Sequence, residues 1–232
     1  MEKKLSEYLT LAKNIQFQNN NKEIKIAILS SFTINGLDEC LKVKSSLSKI
    51  NYKSYIGNYN QHFQDIFNEK SNLYQFEPDL TFLIIDTRSF LGKLFSNPYS
   101  FTTKQRRQIF NEKINYLKNA IETFEKKSNK KLVIFNFQVP SFSPGGIIEN
   151  KSEFGLHELI NEFNKSLAEL TKKNNSLFIF DFNQFVLKYG ENNIFNYKQF
   201  FSGDIKISTE YIPKFVNELM GYVYAISGIT KK

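Results

Sequence analysis

Few side chains that bind metals or activate nucleophiles are present in this chain, and that scarcity excludes several kinds of site. Cys40 is the single cysteine in 232 residues, so no disulfide can form within the chain. The two histidines, His62 and His157, are far apart in the sequence. One thiol and two separated imidazoles do not make a zinc-type ligand set. We therefore expect no metal site and no resident cofactor.

Long apolar segments are absent as well. The longest apolar runs have the length of strands, well short of the roughly 20 residues that a membrane-spanning helix needs. Residues 1–20 contain no continuous apolar stretch of the kind that secretion signals have. We expect a cytoplasmic protein with no membrane partner.

Arginine is scarce, although the chain is basic. The formal net charge is +8, but only three of the 31 basic residues are arginine, namely Arg88, Arg106 and Arg107. Arginine supplies the bidentate contacts that proteins make to bases and phosphates. There is also no basic run and no known reader motif, so the sequence disfavours nucleic acid as a partner.

Short apolar runs instead alternate with longer segments of helical periodicity. This alternation predicts a parallel sheet with right-handed crossovers between two helical layers. We predict an α/β fold for residues 23–232, a three-layer α/β/α sandwich of the flavodoxin-like kind with a mostly parallel five-stranded sheet. An amino-terminal helix and hinge is predicted at 1–22. The predicted strands are Ile24–Leu29, Ser54–Ile56, Leu80–Ile85, Leu132–Phe135 and Leu177–Phe180.

The predicted crossovers have clear amphipathic patterns. Apolar residues at 110, 114, 117, 121 and 124 recur at steps of four and three, which places them on one helix face. Residues 156–170 repeat the pattern, and further helices are predicted at 37–50 and 209–225. The loop at 139–146 is longer than a simple connection requires. The aromatic segment 194–201 is expected to lie partly over the sheet edge.

Polar residues and one glycine follow the predicted strands, and the carboxyl edge of such a sheet is where ligands bind. The functional interpretation is a polar pocket in which cations receive a phosphate or carboxylate. The alternative is that these side chains cap the adjacent helices, which is frequent where a strand leads into a helix. The candidate binding residues are Gly57, Asp86, Arg88, Asn136, Asp181, Asp204 and Lys206.

Ser30 and Ser31 directly follow the first strand, where an SGNH-type hydrolase places its nucleophile. A serine hydroxyl needs a base to take its proton. That fold carries its histidine in the loop before the last helix, and here the loop at 202–208 has Lys206 instead. A free lysine amine has a pKa near about 10.4 and is a poor base at neutral pH. We expect Lys206 to contact an anionic group, Asp204 or another, and not to replace the histidine.

Several segments together resemble the amino-terminal domain of the FkbH-like family. The order and spacing of these segments carry the resemblance, which covers the chain from about Ile24 onward. They are Ile28-Leu-Ser-Ser-Phe-Thr33, Tyr55-Ile-Gly-Asn-Tyr-Asn-Gln-His-Phe-Gln64, Ser71-Asn-Leu-Tyr-Gln-Phe-Glu-Pro-Asp79, Phe82-Leu-Ile-Ile-Asp-Thr-Arg88, Asn136-Phe-Gln-Val-Pro140, Ser143-Pro-Gly-Gly146 and Gly203-Asp-Ile-Lys-Ile-Ser208.

The resemblance implies an SGNH-hydrolase-like domain that is paired with a haloacid-dehalogenase-like phosphatase domain. In that family the phosphatase domain carries an Asp-x-Asp-x-Thr motif. It is implied to move a glyceryl unit from a phosphorylated intermediate onto an acyl carrier protein, in polyketide or polysaccharide pathways. No Asp-x-Asp-x-Thr motif occurs in this chain. We therefore expect the phosphatase domain, and the Mg²⁺ that would belong to it, to be absent here.

Three hypotheses about function follow. The first is a non-hydrolytic accessory domain whose partners are a haloacid-dehalogenase-like phosphatase domain, deleted or separately encoded, and an acyl carrier protein. The second is an esterase or acyltransferase that uses Ser30 or Ser31 with an unconventional base. The third is a structural module, in which Ser31, Asp86, Asn136 and Lys206 would not line a shared cleft.

Overall fold

A five-stranded sheet forms the centre of the protein in a computed structural model, which describes residues 2–229 except for the side chain of Tyr197. The strands are β1 (Lys22–Ser30), β2 (Ile50–Ile56), β3 (Leu80–Ile84), β4 (Lys131–Phe135) and β5 (Leu177–Phe180). They lie in the order β2-β1-β3-β4-β5, and all four pairings are parallel.

Helices cover both faces of this sheet. None of those within residues 2–229 has the length and apolar composition needed to cross a bilayer. The helices are α1 (Leu5–Lys13), α2 (Leu37–Leu47), α3 (His62–Phe67), α4 (Asn72–Phe76), α5 (Thr87–Leu91), α6 (Lys93–Ser96), α7 (Thr103–Lys127), α8 (Leu156–Lys172), α9 (Phe182–Tyr189), α10 (Glu191–Ile194), α11 (Tyr197–Gly203) and α12 (Ile212–Ser227), with 3₁₀ turns at Pro98–Ser100 and Gly146–Lys151.

The central strand β1 shows why the sheet is buried on both sides. Successive side chains of a strand face opposite ways. Ile26 and Ile28 belong to the buried cluster that includes α2 and α12, whereas Ala27 and Leu29 belong to the cluster that includes α7 and α8. A strand covered on both faces is apolar at every position. The predicted three-layer α/β/α sandwich is confirmed.

The edge strand β2 differs from its prediction. It begins at Ile50, four residues before the predicted Ser54. Ile50 and Tyr52 are buried, but Lys53 is exposed because no further strand covers this edge. Polar residues at the exposed positions of β2 interrupt its apolar run, so that run is shorter than the strand. The opposite edge strand, β5, was predicted with its observed bounds, since all its residues are apolar although Phe178 is 42% exposed.

The segment after α11 brings the last loop to the carboxyl edge of the sheet. Ile205 forms a parallel bridge with Thr33, just after β1, and Ile207 forms an antiparallel bridge with Phe195. Lys206 lies between these two bridges. The loop before α12 is therefore fixed beside the ends of β1 and β3.

Candidate functional site

Two serines at the end of β1 make different contacts. The Ser30 Oγ donates a hydrogen bond to the carbonyl oxygen of Phe32 at 2.8 Å and accepts one from the Phe32 amide at 3.1 Å. The Ser31 side chain is 2% exposed, and its Oγ accepts a hydrogen bond from the amide of Asp86 at 2.8 Å. Both hydroxyls thus help to hold the main chain at the sheet edge.

Asp86 and Lys206 form a buried ion pair at the end of β3. The Lys206 Nζ donates to Oδ1 of Asp86, and the two residues are 7% and 2% exposed. The Oδ2 atom of Asp86 accepts hydrogen bonds from the Ser89 amide at 2.9 Å and the Ser89 hydroxyl at 3.1 Å, which caps α5. Burial acts to raise the pKa of Asp86, but the Lys206 charge and these bonds outweigh it and hold that pKa below its ordinary value.

Aromatic rings surround the other sides of the Lys206 ammonium. Its Nζ lies 5.1 Å from the ring centroid of Phe195, 5.7 Å from that of Phe182 and 6.0 Å from that of Phe32. Ring faces attract a cation at such distances. An ammonium that donates to a buried carboxylate offers no lone pair to a serine proton, so this geometry does not supply a general base.

Asp204 does not pair with Lys206, although only one residue separates them. It has a φ of 50°, in the left-handed region. Its carboxylate accepts a hydrogen bond from the Tyr59 hydroxyl at 2.5 Å, and its carbonyl oxygen accepts one from the Thr33 amide at 3.0 Å. The sequence left open whether Lys206 contacts Asp204 or another anionic group. The structure shows that its partner is Asp86.

Asn136 and Asp181 form a second polar pair, where β4 and β5 end. The Asn136 Nδ2 donates to Oδ1 of Asp181 at 2.8 Å, and its Oδ1 accepts from the Phe182 amide at 2.7 Å. Asp181 also accepts from the Gln184 amide at 3.0 Å and caps α9. These are the contacts expected of helix-capping residues.

The candidate residues are distributed over separate cavities. Asp86 and Lys206 line a cavity of about 290 Å³. Ser31 lines another, of about 510 Å³, and Ser30 and Gly57 line a third, of about 230 Å³. Ser31, Asp86, Asn136 and Lys206 therefore do not share one cleft, as the structural-module hypothesis predicts, although Asp86 and Lys206 do line one cavity together and Asp86 is hydrogen-bonded to Ser31.

Gly57 has a structural reason to lack a side chain. Its amide donates to the carbonyl oxygen of Ile28 at 2.9 Å, which continues the pairing of β1 with β2. A Cβ atom at this position would lie 2.7 Å from Cδ2 of Leu29 and 3.0 Å from Oδ2 of Asp65. The close packing of the two strand ends is sufficient to explain the glycine.

Neither histidine is hydrogen-bonded to a serine at the sheet edge. His62 is 4% exposed, and neither of its ring nitrogens has a hydrogen-bond partner among the described residues. Burial lowers the pKa of its imidazole to about 4, so the ring is neutral at pH 7. It lines the same cavity as Ser31. The Nε2 of His157 lies 3.2 Å from the carbonyl oxygen of Phe142, in the loop after β4.

The acidic residues of this edge are already engaged with protein partners. Asp86 is bonded by Lys206, Asp181 by Asn136 and Asp204 by Tyr59. Nowhere in the described part of the chain do three His, Cys, Asp or Glu side chains come together in a way that could hold a metal ion. We therefore derive no chemistry through a metal from these residues.

Sequence reasoning identified the walls of the Asp86–Lys206 cavity only in part. The long loop after β4 contributes Phe142, and the aromatic segment 194–201 contributes Phe195 and Phe200, which confirms that this segment reaches the sheet edge. Gln138 was missed, although it lines the cavity and is only 7% exposed. The sequence could have indicated Gln138, because it lies two residues after Asn136, in the loop that follows the buried strand β4.

Comparison with known proteins gives a family match. The sequence profile of "FkbH, N-terminal domain" matches residues 25–224. No curated protein matches the chain. Among solved structures, the N-terminal part of the protein BF1531 from Bacteroides fragilis, containing a phosphatase domain complexed with Mg, has a TM-score of 0.85 at 20% identity. The match covers 99% of this chain and 58% of that one, so this chain spans little more than half of its length.

Two ester hydrolases share the fold more distantly. The acetyl xylan esterase AlAXEase has a TM-score of 0.51 at 15% identity, and the match covers 86% of this chain and 100% of that one. The lipase Lip_vut3 from a goat rumen metagenome has a TM-score of 0.54 at 15% identity, over 88% of this chain and 98% of that one. These likenesses show an SGNH-hydrolase-like fold and nothing about activity. On the profile match, the chain belongs to the FkbH N-terminal domain family.

Proposed function

We propose that this chain is a non-hydrolytic SGNH-like domain that assists a haloacid-dehalogenase-like phosphatase domain in loading a glyceryl group onto an acyl carrier protein. The observation that supports its lack of hydrolysis is the Asp86–Lys206 ion pair. In the loop where an SGNH hydrolase carries its base, this chain has an ammonium that is bound to a buried carboxylate. Ser31 therefore receives no base from that loop.

Two further observations support the partners. The BF1531 fragment contains a phosphatase domain in addition to the region that matches this chain. The net charge of +8, which comes mostly from lysine, favours encounter with an acidic carrier protein by electrostatic steering. A cytoplasmic location remains a prediction from the sequence.

Carrier binding can be measured by isothermal titration calorimetry at low salt, with and without the phosphatase domain. We expect binding that weakens as salt is raised, because the steering charges are screened. No detectable binding under either condition would contradict the accessory role. Replacing the carrier by another acidic protein of similar net charge serves as the control for unspecific attraction.

One observation favours the esterase or acyltransferase as a second candidate. The neutral imidazole of His62, which has no hydrogen-bond partner among residues 2–229, lines the same cavity as Ser31. A neutral imidazole can accept a proton, so a hydrogen bond between these two side chains would make them a nucleophile and its base.

Hydrolysis of short p-nitrophenyl esters separates the two candidates. For the accessory domain we expect equal, background rates from the wild type, Ser31→Ala and Ser30→Ala. Turnover that is lost in both Ser31→Ala and His62→Phe but kept in Ser30→Ala would favour the second candidate. Circular dichroism of each variant ensures that a lost activity is not a lost fold.

A further inference from the structure

The cavity beside the Asp86–Lys206 pair has a largely apolar surface that includes five phenylalanines, with Glu191 also in its lining, and we call it the phenylalanine cleft. It has a volume of about 290 Å³, near the lower end of the range for small-molecule sites. Five phenylalanines from three different segments meet there, which is typical of a site for a largely apolar group. They are Phe95, Phe142, Phe195, Phe200 and Phe201.

The buried part of the phenylalanine cleft contains an amide with unused hydrogen-bonding capacity. Gln138 is 7% exposed and lines the cleft. Its carbonyl oxygen accepts a hydrogen bond from the Thr87 hydroxyl at 3.1 Å, but its side-chain amide bonds to no other residue within 2–229. The atoms of this amide are not among the fully buried polar atoms that lack a partner, so they are open to the cleft. Gln138 is therefore suited to bind an amide or carbonyl group in the cleft.

The outer part of the phenylalanine cleft carries a cation. Arg88 is exposed, and its guanidinium lies 5.0 Å from the ring centroid of Phe200 and 5.2 Å from that of Phe201. Stacking on these rings fixes the plane of the guanidinium and leaves its edge donors available. Over the range that the structure covers, no carboxylate pairs with Arg88, whereas Arg106 binds main-chain carbonyls and Arg107 pairs with Glu153.

We infer that the phenylalanine cleft binds the phosphopantetheine arm of a carrier protein, an inference that rests on the proposed function. Such an arm has a phosphate at one end, two amides in its middle and a thiol at the other end. Arg88 binds the phosphate with its paired donors, Gln138 bonds an amide, and the thiol end lies near the buried Asp86–Lys206 pair. The cleft thus offers a cation, an amide and apolar surface, which are the partners that the phosphate, the amides and the hydrocarbon parts of the arm require.

The test is calorimetric titration of the full chain with free 4′-phosphopantetheine and with pantetheine, which lacks the phosphate. We expect pantetheine to bind about ten-fold more weakly or worse. Arg88→Gln then lowers the affinity for 4′-phosphopantetheine to that for pantetheine and leaves pantetheine binding unchanged. Lys93→Gln, which removes a nearby exposed charge outside the cleft lining, leaves both affinities unchanged.

Several results would overturn this assignment. The first is that 4′-phosphopantetheine does not bind. The second is that Lys93→Gln and Arg88→Gln lose the same affinity for it. The third is that octanoate binds as tightly as 4′-phosphopantetheine and that its binding also depends on Arg88. The last result would indicate a site for fatty acids. Arg88 is exposed, so Arg88→Gln is expected to keep the thermal stability of the wild type.

Comparing carrier proteins with and without the arm separates this inference from the proposed function. If both forms bind equally, the carrier remains a partner but the arm does not enter the phenylalanine cleft. If free 4′-phosphopantetheine binds through Arg88 but no carrier protein binds, the cleft assignment holds and the proposed partner is wrong. Tighter binding of the arm-bearing carrier, reduced by Arg88→Gln, supports both.

Discussion

Mild acidification is expected to destabilise this protein through one side chain, His62. Its imidazole is buried without a hydrogen-bond partner among the residues described, and its pKa falls from an ordinary 6.5 to about 4. Between these two values the unfolded chain binds a proton that the folded protein does not bind. The free energy of unfolding therefore falls as the pH falls from 6.5 toward 4.

The pKa difference sets the size of this effect. The full change from 6.5 to about 4 corresponds to about 3 kcal/mol, of which about 2 kcal/mol is already lost at about pH 5. The carboxyls of Asp86 and Glu149 have pKa values below their ordinary range. The stability that these carboxyls contribute is retained above pH 5 and is lost only at lower pH. Between about pH 6.5 and about pH 5, His62 therefore causes most of the loss of stability.

Urea unfolding followed by far-UV circular dichroism measures this effect, since the chain has no tryptophan to report by fluorescence. His62→Phe is the matched control, because it keeps an aromatic ring beside Phe63 and cannot titrate. We expect the wild type to lose about 2 kcal/mol more than His62→Phe between about pH 8 and about pH 5. Equal losses in the two proteins would refute the argument that His62 is held neutral by burial.

Two further predictions concern buried cations. Lys206→Met leaves the Asp86 carboxylate buried without its partner and is expected to lower the free energy of unfolding by about 3–5 kcal/mol. The double variant with Asp86→Asn should recover most of that loss in the same urea assay. Arg106→Met removes hydrogen bonds to several main-chain carbonyls, including that of Phe154 at 2.9 Å, and is expected to cost about 3 kcal/mol. Arg107→Met, which loses an exposed ion pair with Glu153 and a cation–π contact with Phe154, should cost about 1 kcal/mol.

Apolar runs predicted the sheet well wherever strands are buried on both faces. β3 and β4 lie within a residue of their predicted bounds because every side chain of such a strand needs apolar surroundings. β2 was predicted too short, since an edge strand satisfies its exposed positions with polar residues. The apolar pattern of a strand therefore shows which of its side chains are expected to be buried. It predicts the length of the strand reliably where all of these side chains are buried.

The candidate site was predicted less completely, because its key contacts join distant parts of the chain. Lys206 and Asp86 are 120 positions apart, and no local pattern indicates which carboxylate a lysine will reach. The choice depends on the two bridges that fix the loop at 205–207 beside Phe195 and Thr33. Asn136 and Asp181 are different, since neighbouring parallel strands must end side by side, and their contact follows from topology.

The Asp86–Lys206 pair connects the absence of a base with the presence of a cleft. Asp86 caps α5 with its carboxylate and bonds Ser31 through its amide, so its position is fixed by the main chain and not by Lys206. A lysine in the last loop neutralises this buried carboxylate and reaches it from between three aromatic rings. Lys206, which stands in the loop where an SGNH hydrolase carries its histidine, therefore also lines the phenylalanine cleft. Both proposals therefore depend on Lys206, which is the reason to test its substitution in the hydrolysis assay and in the ligand titrations alike.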